Sequence, residues 1–151
     1  MLVRSLSETS IILFLTSFVV TGCGSDEYVA PVEQTVPAAG VVSYQGKPLD
    51  YYQVNFLPEA EGKRPASAVT DANGQFVLGT NQPGDGAIAG RHVITVEYVG
   101  PPSNEEPGKE TFGPPPEPKV KVPRKFASAE TSELMIEIPE TGNESIVVNI
   151  D

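Results

Sequence analysis

Cysteine occurs once in the 151 residues, histidine once and tryptophan not at all. A single thiol excludes a disulfide framework within the chain, and one cysteine with one histidine cannot fill a Cys/His zinc site. Ser-His-Asp chemistry has only His92 to be built around. Positive charge is also scarce. Ten Lys and Arg face twenty Asp and Glu, for a net charge of −10. That balance argues against a broad electrostatic grip on phosphates, so no nucleic-acid partner is expected. The one long apolar run, Ile11 to Val20, is broken only by Thr16 and Ser17. It is about half of the roughly 20 residues that a bilayer-crossing helix needs. Its length suits the apolar region of a signal peptide. No segment carries a sustained helical period, and Ala127 to Leu134 has room for one short turn.

Short β-branched and aromatic runs, separated by Gly, Pro, Asn and Asp, fill the chain from Ala38 onward. That pattern predicts an all-β fold. Seven strands are expected, over 39–44, 51–57, 66–71, 75–79, 91–99, 133–138 and 145–150. Arg91 to Val99 is apolar on both faces and is expected to be central. Gln45-Gly46-Lys47-Pro48-Leu49 reads as a turn, and Asp71-Ala72-Asn73-Gly74 as the tightest hairpin, because Asn-Gly supplies positive φ. Glu140-Thr141-Gly142-Asn143 turns between the last two strands. Residues 24–37 are polar, acidic and twice interrupted by proline, as in a flexible tether. Residues 100–123 hold eight prolines. Such a segment cannot join a ladder, and it is expected as a poorly ordered, exposed insertion. Seven strands at this spacing predict an antiparallel β-sandwich.

Two resemblances add to this reading. Val20-Thr21-Gly22-Cys23 resembles the lipobox of bacterial lipoproteins. It implies cleavage between Gly22 and Cys23, with residues 1–22 as signal peptide. Cys23 would then carry a diacylglyceryl group and palmitate. Gly24 and Ser25 lack the aspartate that signals inner-membrane retention in diderm bacteria, which favours the outer membrane, facing the periplasm or the cell surface. The second resemblance covers roughly residues 38–100. Gly40-Val41-Val42, Gly46-Lys47-Pro48-Leu49, Thr70-Asp71-Ala72-Asn73-Gly74-Gln75-Phe76 and Gly90 with Val93-Ile94-Thr95-Val96 resemble the carboxypeptidase regulatory-like, or transthyretin-like (prealbumin-type), domain. His92 stands where that family often has tyrosine. Val122-Pro123-Arg124-Lys125-Phe126 and Thr131-Ser132-Glu133-Leu134 resemble the small acidic lipoproteins of planctomycete-type bacteria. The implied organisation is residues 1–22 as signal peptide, 23–37 as lipidated cysteine and tether, and 38–151 as one Ig-like or prealbumin-like sandwich.

Site candidates follow from these readings. Asp71, Asn73 and Gly74 form a structural turn in which the Asp71 carboxylate caps backbone N–H groups. The same residues could open a calcium loop, with Asp50 and Asp85 as further oxygens, but the twelfth position is Gln82 rather than glutamate. No metal or cofactor is expected. The hydroxyisourate hydrolase of the transthyretin fold needs several histidines and a closing tetrapeptide ending in serine. His92 alone and Val148-Asn149-Ile150-Asp151 do not supply them, so no enzyme is expected. Tyr44, Tyr51 and Tyr52 would make a glycan platform if exposed and coplanar, or core and edge cover if not. Arg124 and Lys125 either pin the insert to an acidic face or stand exposed. The functional expectation is a lipid-anchored, non-catalytic envelope module that binds a protein or, alternatively, a carbohydrate. Its contact surfaces would be the 58–65 and 80–89 loops and the 100–123 insert.

Overall fold

The computed structural model describes residues 31–102 and 116–151. The lipobox, Cys23 and the middle of the proline-rich insert lie outside the described residues. Eight strands are present: β1 (Ala38–Tyr44), β2 (Lys47–Pro48), β3 (Tyr52–Pro58), β4 (Ala66–Val69), β5 (Gln75–Val77), β6 (Gly90–Tyr98), β7 (Met135–Ile138) and β8 (Asn143–Ile150). Among the described residues there is no α-helix. The single turn expected over 127–134 falls earlier, as a 3₁₀ turn at Arg124–Ala127. The eighth strand is the two-residue β2, hidden in what the sequence reads as a plain turn.

The strands form two sheets. In one, β2, β5 and β8 all pair with β1; in the other the order is β4-β3-β6-β7. The second sheet is antiparallel throughout, with β6 inside it as expected. The first is not, because β8 runs parallel to β1 from Gly40 opposite Ile146 to Tyr44 opposite Ile150. The reason is where the turns lead. Asp71–Gly74 carries the chain from β4 in one sheet to β5 in the other. Pro139–Gly142 likewise carries it from β7 to β8. Both reverse the chain. Asp71–Gly74 keeps the closing bonds of a hairpin, since Asp71 N–H donates to the Gln75 carbonyl and Ser67 and Gly79 exchange backbone bonds, but the strands it joins run their main ladders in different sheets. The tight hairpin is at Gln45-Gly46, where φ is 50° and 75° and Tyr44 pairs with Lys47. Positive φ at both central residues gives the turn a twist that matches the flanking strands.

Alternation explains how both sheets bury one face. Tyr52, Val54 and Phe56 of β3, with His92, Ile94 and Val96 of β6, point inward from one sheet. Val42, Phe76, Ile146, Val148 and Ile150 do so from the other. The Phe56 and Phe76 rings meet between the sheets with centroids 5.7 Å apart. Leu49 and Leu78, from the connections, are fully buried in the same cluster.

The last residues of the expected tether are bonded to the two-sheet domain. The Glu33 N–H donates to Asn81 Oδ1 (2.9 Å), and Asn81 Nδ2 donates back to the Glu33 carbonyl (3.0 Å). Val36 and Ala87 exchange backbone bonds of 2.8 and 3.0 Å, and the Pro37 carbonyl accepts from Asn143 N–H. Residues 33–37 therefore belong to the domain, not to a free linker.

At Gly40 the two long strands of the first sheet come close. A Cβ there would lie 2.1 Å from the Ile146 carbonyl oxygen. Gly40→Ala must push β8 away from β1 and is expected to cost about 3 kcal/mol, the upper end for overpacking. Urea denaturation of the two proteins measures it; a midpoint unchanged by the substitution would contradict the close approach.

Candidate functional site

Strand directions give the domain two ends. The chain enters at one, where Glu33–Pro37, Pro58–Lys63, the 80–89 loop and Pro139–Gly142 gather. Lys63 Nζ sits 2.9 Å from Glu33 Oε2, and Glu59 N–H donates to the Arg91 carbonyl at 2.9 Å. The other end holds Gln45–Gly46, Leu49–Tyr51, Thr70–Gly74 and both limbs of the proline-rich insert. The insert leaves after Tyr98 and returns at Lys119–Val122.

The returning limb is packed, contrary to the expectation of an exposed and poorly ordered segment along its whole length. Val120 and Val122 pack against the core, and Phe126 is buried in it. The Tyr52 hydroxyl donates to the Val120 carbonyl. Lys119 Nζ lies 2.6 Å from Oδ2 of Asp50, whose side chain is almost wholly covered. Hydrogen bonding and charge from that carboxylate raise the Lys119 ammonium above its ordinary pKa. Burial raises the Tyr52 hydroxyl. The sequence names Asp50 only as a spare oxygen and gives no sign of a partner 69 residues away. One signal was available: Lys119-Val120-Lys121-Val122 alternates with the period of a half-buried extended segment.

Between this limb and the ends of β3 and β6 lies an open cleft of about 690 Å³. Its walls carry the Tyr52 and Tyr98 rings, edge to face at 5.2 Å. Glu97, Lys121 and Arg124 stand at its rim. Beside it Tyr51 has φ +60°, unusual for a bulky residue and of the kind of strain that collects at binding sites. It is held by backbone bonds from Tyr51 N–H to Thr70, and from Val99 and Gly100 to the Tyr51 carbonyl. The cleft offers the partly exposed Tyr98 ring and both signs of charge.

The three tyrosines do not form a platform. Tyr52 is buried, while Tyr44 and Tyr51 are half-buried. Period-2 alternation from Tyr52 through Val54 and Phe56 accounts for its direction. Arg124 and Lys125 are exposed in the 3₁₀ turn, with Lys125 Nζ 4.7 Å from the Phe126 ring centroid. Gly22 and Cys23 lie outside the described residues.

At the turn, Asp71 Oδ1 accepts from the N–H groups of Asn73 and Gln75, each at 2.8 Å. Gly74 has φ +74° and a Cβ there would meet the Val42 carbonyl at 2.6 Å. Asn73 does not share the positive φ expected of it. One carboxylate oxygen of Asp71 is thus committed to backbone donors. Among the described residues no three His, Cys, Asp or Glu are grouped to hold a metal. Asp85 is used likewise. Desolvation works to raise it, but N–H donors from Thr80, Asn81 and Gln82 and the Asn81 amide hold it below the ordinary carboxylate range.

His92 is fully buried at the entry half of β6. Nδ1 is 3.0 Å from the Gly90 carbonyl, and Nε2 has no partner. Its ring tilts against Phe56 at 6.2 Å. Burial lowers its pKa below 6.5, partly opposed by the Gly90 carbonyl. No family model, curated protein or solved structure matches the chain.

The histidine sets a pH dependence. The unfolded chain takes up a proton near pH 6.5 that the folded chain refuses until lower pH. Stability is therefore full above that value and falls as pH drops below it. His92→Phe is expected to flatten the change in urea midpoint between about pH 7 and pH 5. The acid loss tied to Asp85 begins only in the carboxylate range, so it stays in both proteins. Parallel curves for the two proteins across the upper window would refute the assignment.

Proposed function

We propose that the chain is a lipid-anchored module of a bacterial cell envelope that binds or positions a protein partner without catalysis. In this reading Cys23 carries the lipid, and the mature protein sits at the outer membrane, facing the periplasm or the cell surface. The fold is a carboxypeptidase regulatory-like β-sandwich. In this reading it is built on seven principal strands and carries a proline-rich insertion.

One observation carries the proposal: the chain enters the domain at one end, and the insert leaves and returns at the other. A polypeptide tethered at Glu33–Pro37 thus presents the insert and the Tyr52–Tyr98 cleft away from its attachment. Proline-rich segments also lose little entropy when they dock, which suits recognition by a partner. The carbohydrate alternative loses support, because Tyr52 is committed to the core.

Deleting residues 103–115 removes the part of the insert beyond the Lys119–Asp50 and Tyr52–Val120 contacts. Crosslinking capture from native membranes is expected to recover a specific protein with the intact chain and to lose it with the deletion. Equal recovery from both would remove the insert from the interface. No recovered protein in either would favour a glycan ligand. Cys23→Ser is expected to abolish labelled-palmitate incorporation and release the protein from membranes; retention would refute the anchor.

A further inference from the structure

The side of the domain where β7 and β8 form the sheet edges has an unused hydrogen-bonding surface. Among the described residues β8 pairs only with β1. The Ile150 carbonyl accepts from Gln45 N–H, and the Ile146 carbonyl faces Gly40. N–H and C=O of one residue point the same way in a strand and alternate along it. Val147 and Asn149 therefore turn both groups outward, away from β1. The Ser145 carbonyl joins them, although its N–H is taken by Asn143 Oδ1 at 2.9 Å.

Natural edge strands are blunted by lysine, proline, bulges or short length. β8 has eight residues, no proline or lysine, and a single charge, Glu144; its one irregularity, where Asn143–Ile146 spans Ala38–Gly40, lies at its start, before Val147 and Asn149. Beside it a groove of about 110 Å³ runs between β8 and β7, floored by Ile94, Leu134, Ile136 and Val148. Val147 and Met135 are 61% and 49% exposed at its rim. Charge then selects the occupant. Residues 131–151 contain five acids and no lysine or arginine. The cation facing this wall from β6 is Arg91, opposite Glu137, and its guanidinium already lies 3.4 Å from Glu59. Of these acids Glu137 on β7 and Glu144 on β8 are exposed on the edge strands themselves, so two copies edge to edge would bring like charges together, whereas a basic strand would be attracted.

We propose that the β7–β8 side binds an extended, basic, amphipathic segment of a partner protein by adding it as a strand to β8. Backbone bonds to Val147 and Asn149 would set its direction, an aliphatic side chain would enter the groove, and Lys or Arg would meet Glu133, Glu137 and Glu144. This site is separate from the insert and does not depend on the lipid anchor.

The probe is a labelled peptide of about ten residues alternating valine and lysine, long enough for a full strand. It is titrated against the full chain by fluorescence anisotropy. Val147→Pro removes one outward N–H and leaves the β1 ladder, which uses the other residues. That variant is expected to weaken binding by about tenfold or more, and a lysine–serine peptide to bind comparably weakly. Glu137→Lys with Glu144→Lys, both exposed, should weaken it severalfold. Amide exchange on the wild-type chain should slow at Val147 and Asn149 when peptide is present, a readout that holds even if the proline variant fails to fold. No binding, equal affinity of the serine peptide, or unchanged exchange at those two amides would each overturn the proposal. A wild-type dimer in sedimentation that Val147→Pro dissolves would overturn it in favour of a second copy.

Discussion

β2, β5 and β8 each pair with β1 and with no other strand of the described residues, so every ladder in that sheet passes through Ala38–Tyr44. One edge of β1 is divided between β5 and β2; the other is given wholly to β8. This is a demanding arrangement. β1 must satisfy partners from three separate parts of the chain and still bury Val42 in the core. It does so with a register shift between Ala38 and Gly40 and with a residue at Gly40 small enough for the Ile146 carbonyl to come close. The clasp on residues 33–37 follows from the same constraint, because Pro37 reaches Asn143 at the start of β8 while Val36 reaches Ala87.

Much of this was legible in the residues. The strand positions follow from alternation, which also sets the inward face of Val54 and Phe56, whereas Arg91 to Val99 reads as apolar on both faces and only packing selects Ile94 and Val96 as its core side. Which strands pair was not legible. Asp71–Gly74 has the chemistry of a chain reversal, and it reverses the chain. Nothing within four residues says whether the next strand returns to the same sheet or crosses the core, since either sheet buries an alternating face equally well. Long-range contacts decide. Here Phe76 meets Phe56 from across the core, and Val42 takes the Gly74 carbonyl as its hydrogen-bond acceptor. The parallel β1–β8 pair has the same origin.

The sites divide in the same way. Asp71 as a backbone cap could be read locally, because its acceptors and donors lie within four residues. Asp50 with Lys119 could not, because the pair is made by folding the insert's returning limb over the end of the two sheets. Composition misled at this point. Proline density describes what a segment cannot do in a ladder, but it does not prevent extended chain from packing through its alternate side chains. Val120 and Val122 do this, and Tyr52 supplies a donor for a carbonyl that no strand would satisfy.

The distribution of polar groups separates structural positions from surfaces fit for binding. Asp71 Oδ1 accepts two backbone N–H groups, both Asp85 oxygens accept from the 80–82 backbone and the Asn81 amide, and the Asp50 carboxylate is held by Lys119. Such groups cannot be drawn into a ligand without releasing the loops they hold, which makes them structural. Tyr51 is different: its strained φ is enforced by three backbone bonds, and its side chain is left half-exposed at the insert's end of the domain. β8 is different again, since its outward backbone groups can pair without breaking a bond inside the protein, and Glu137 and Glu144 stand exposed beside them. The two surfaces lie on an end and a side of the same two-sheet domain. A partner could therefore be held at the end by the insert while a second segment pairs along β8, each contributing without displacing the other.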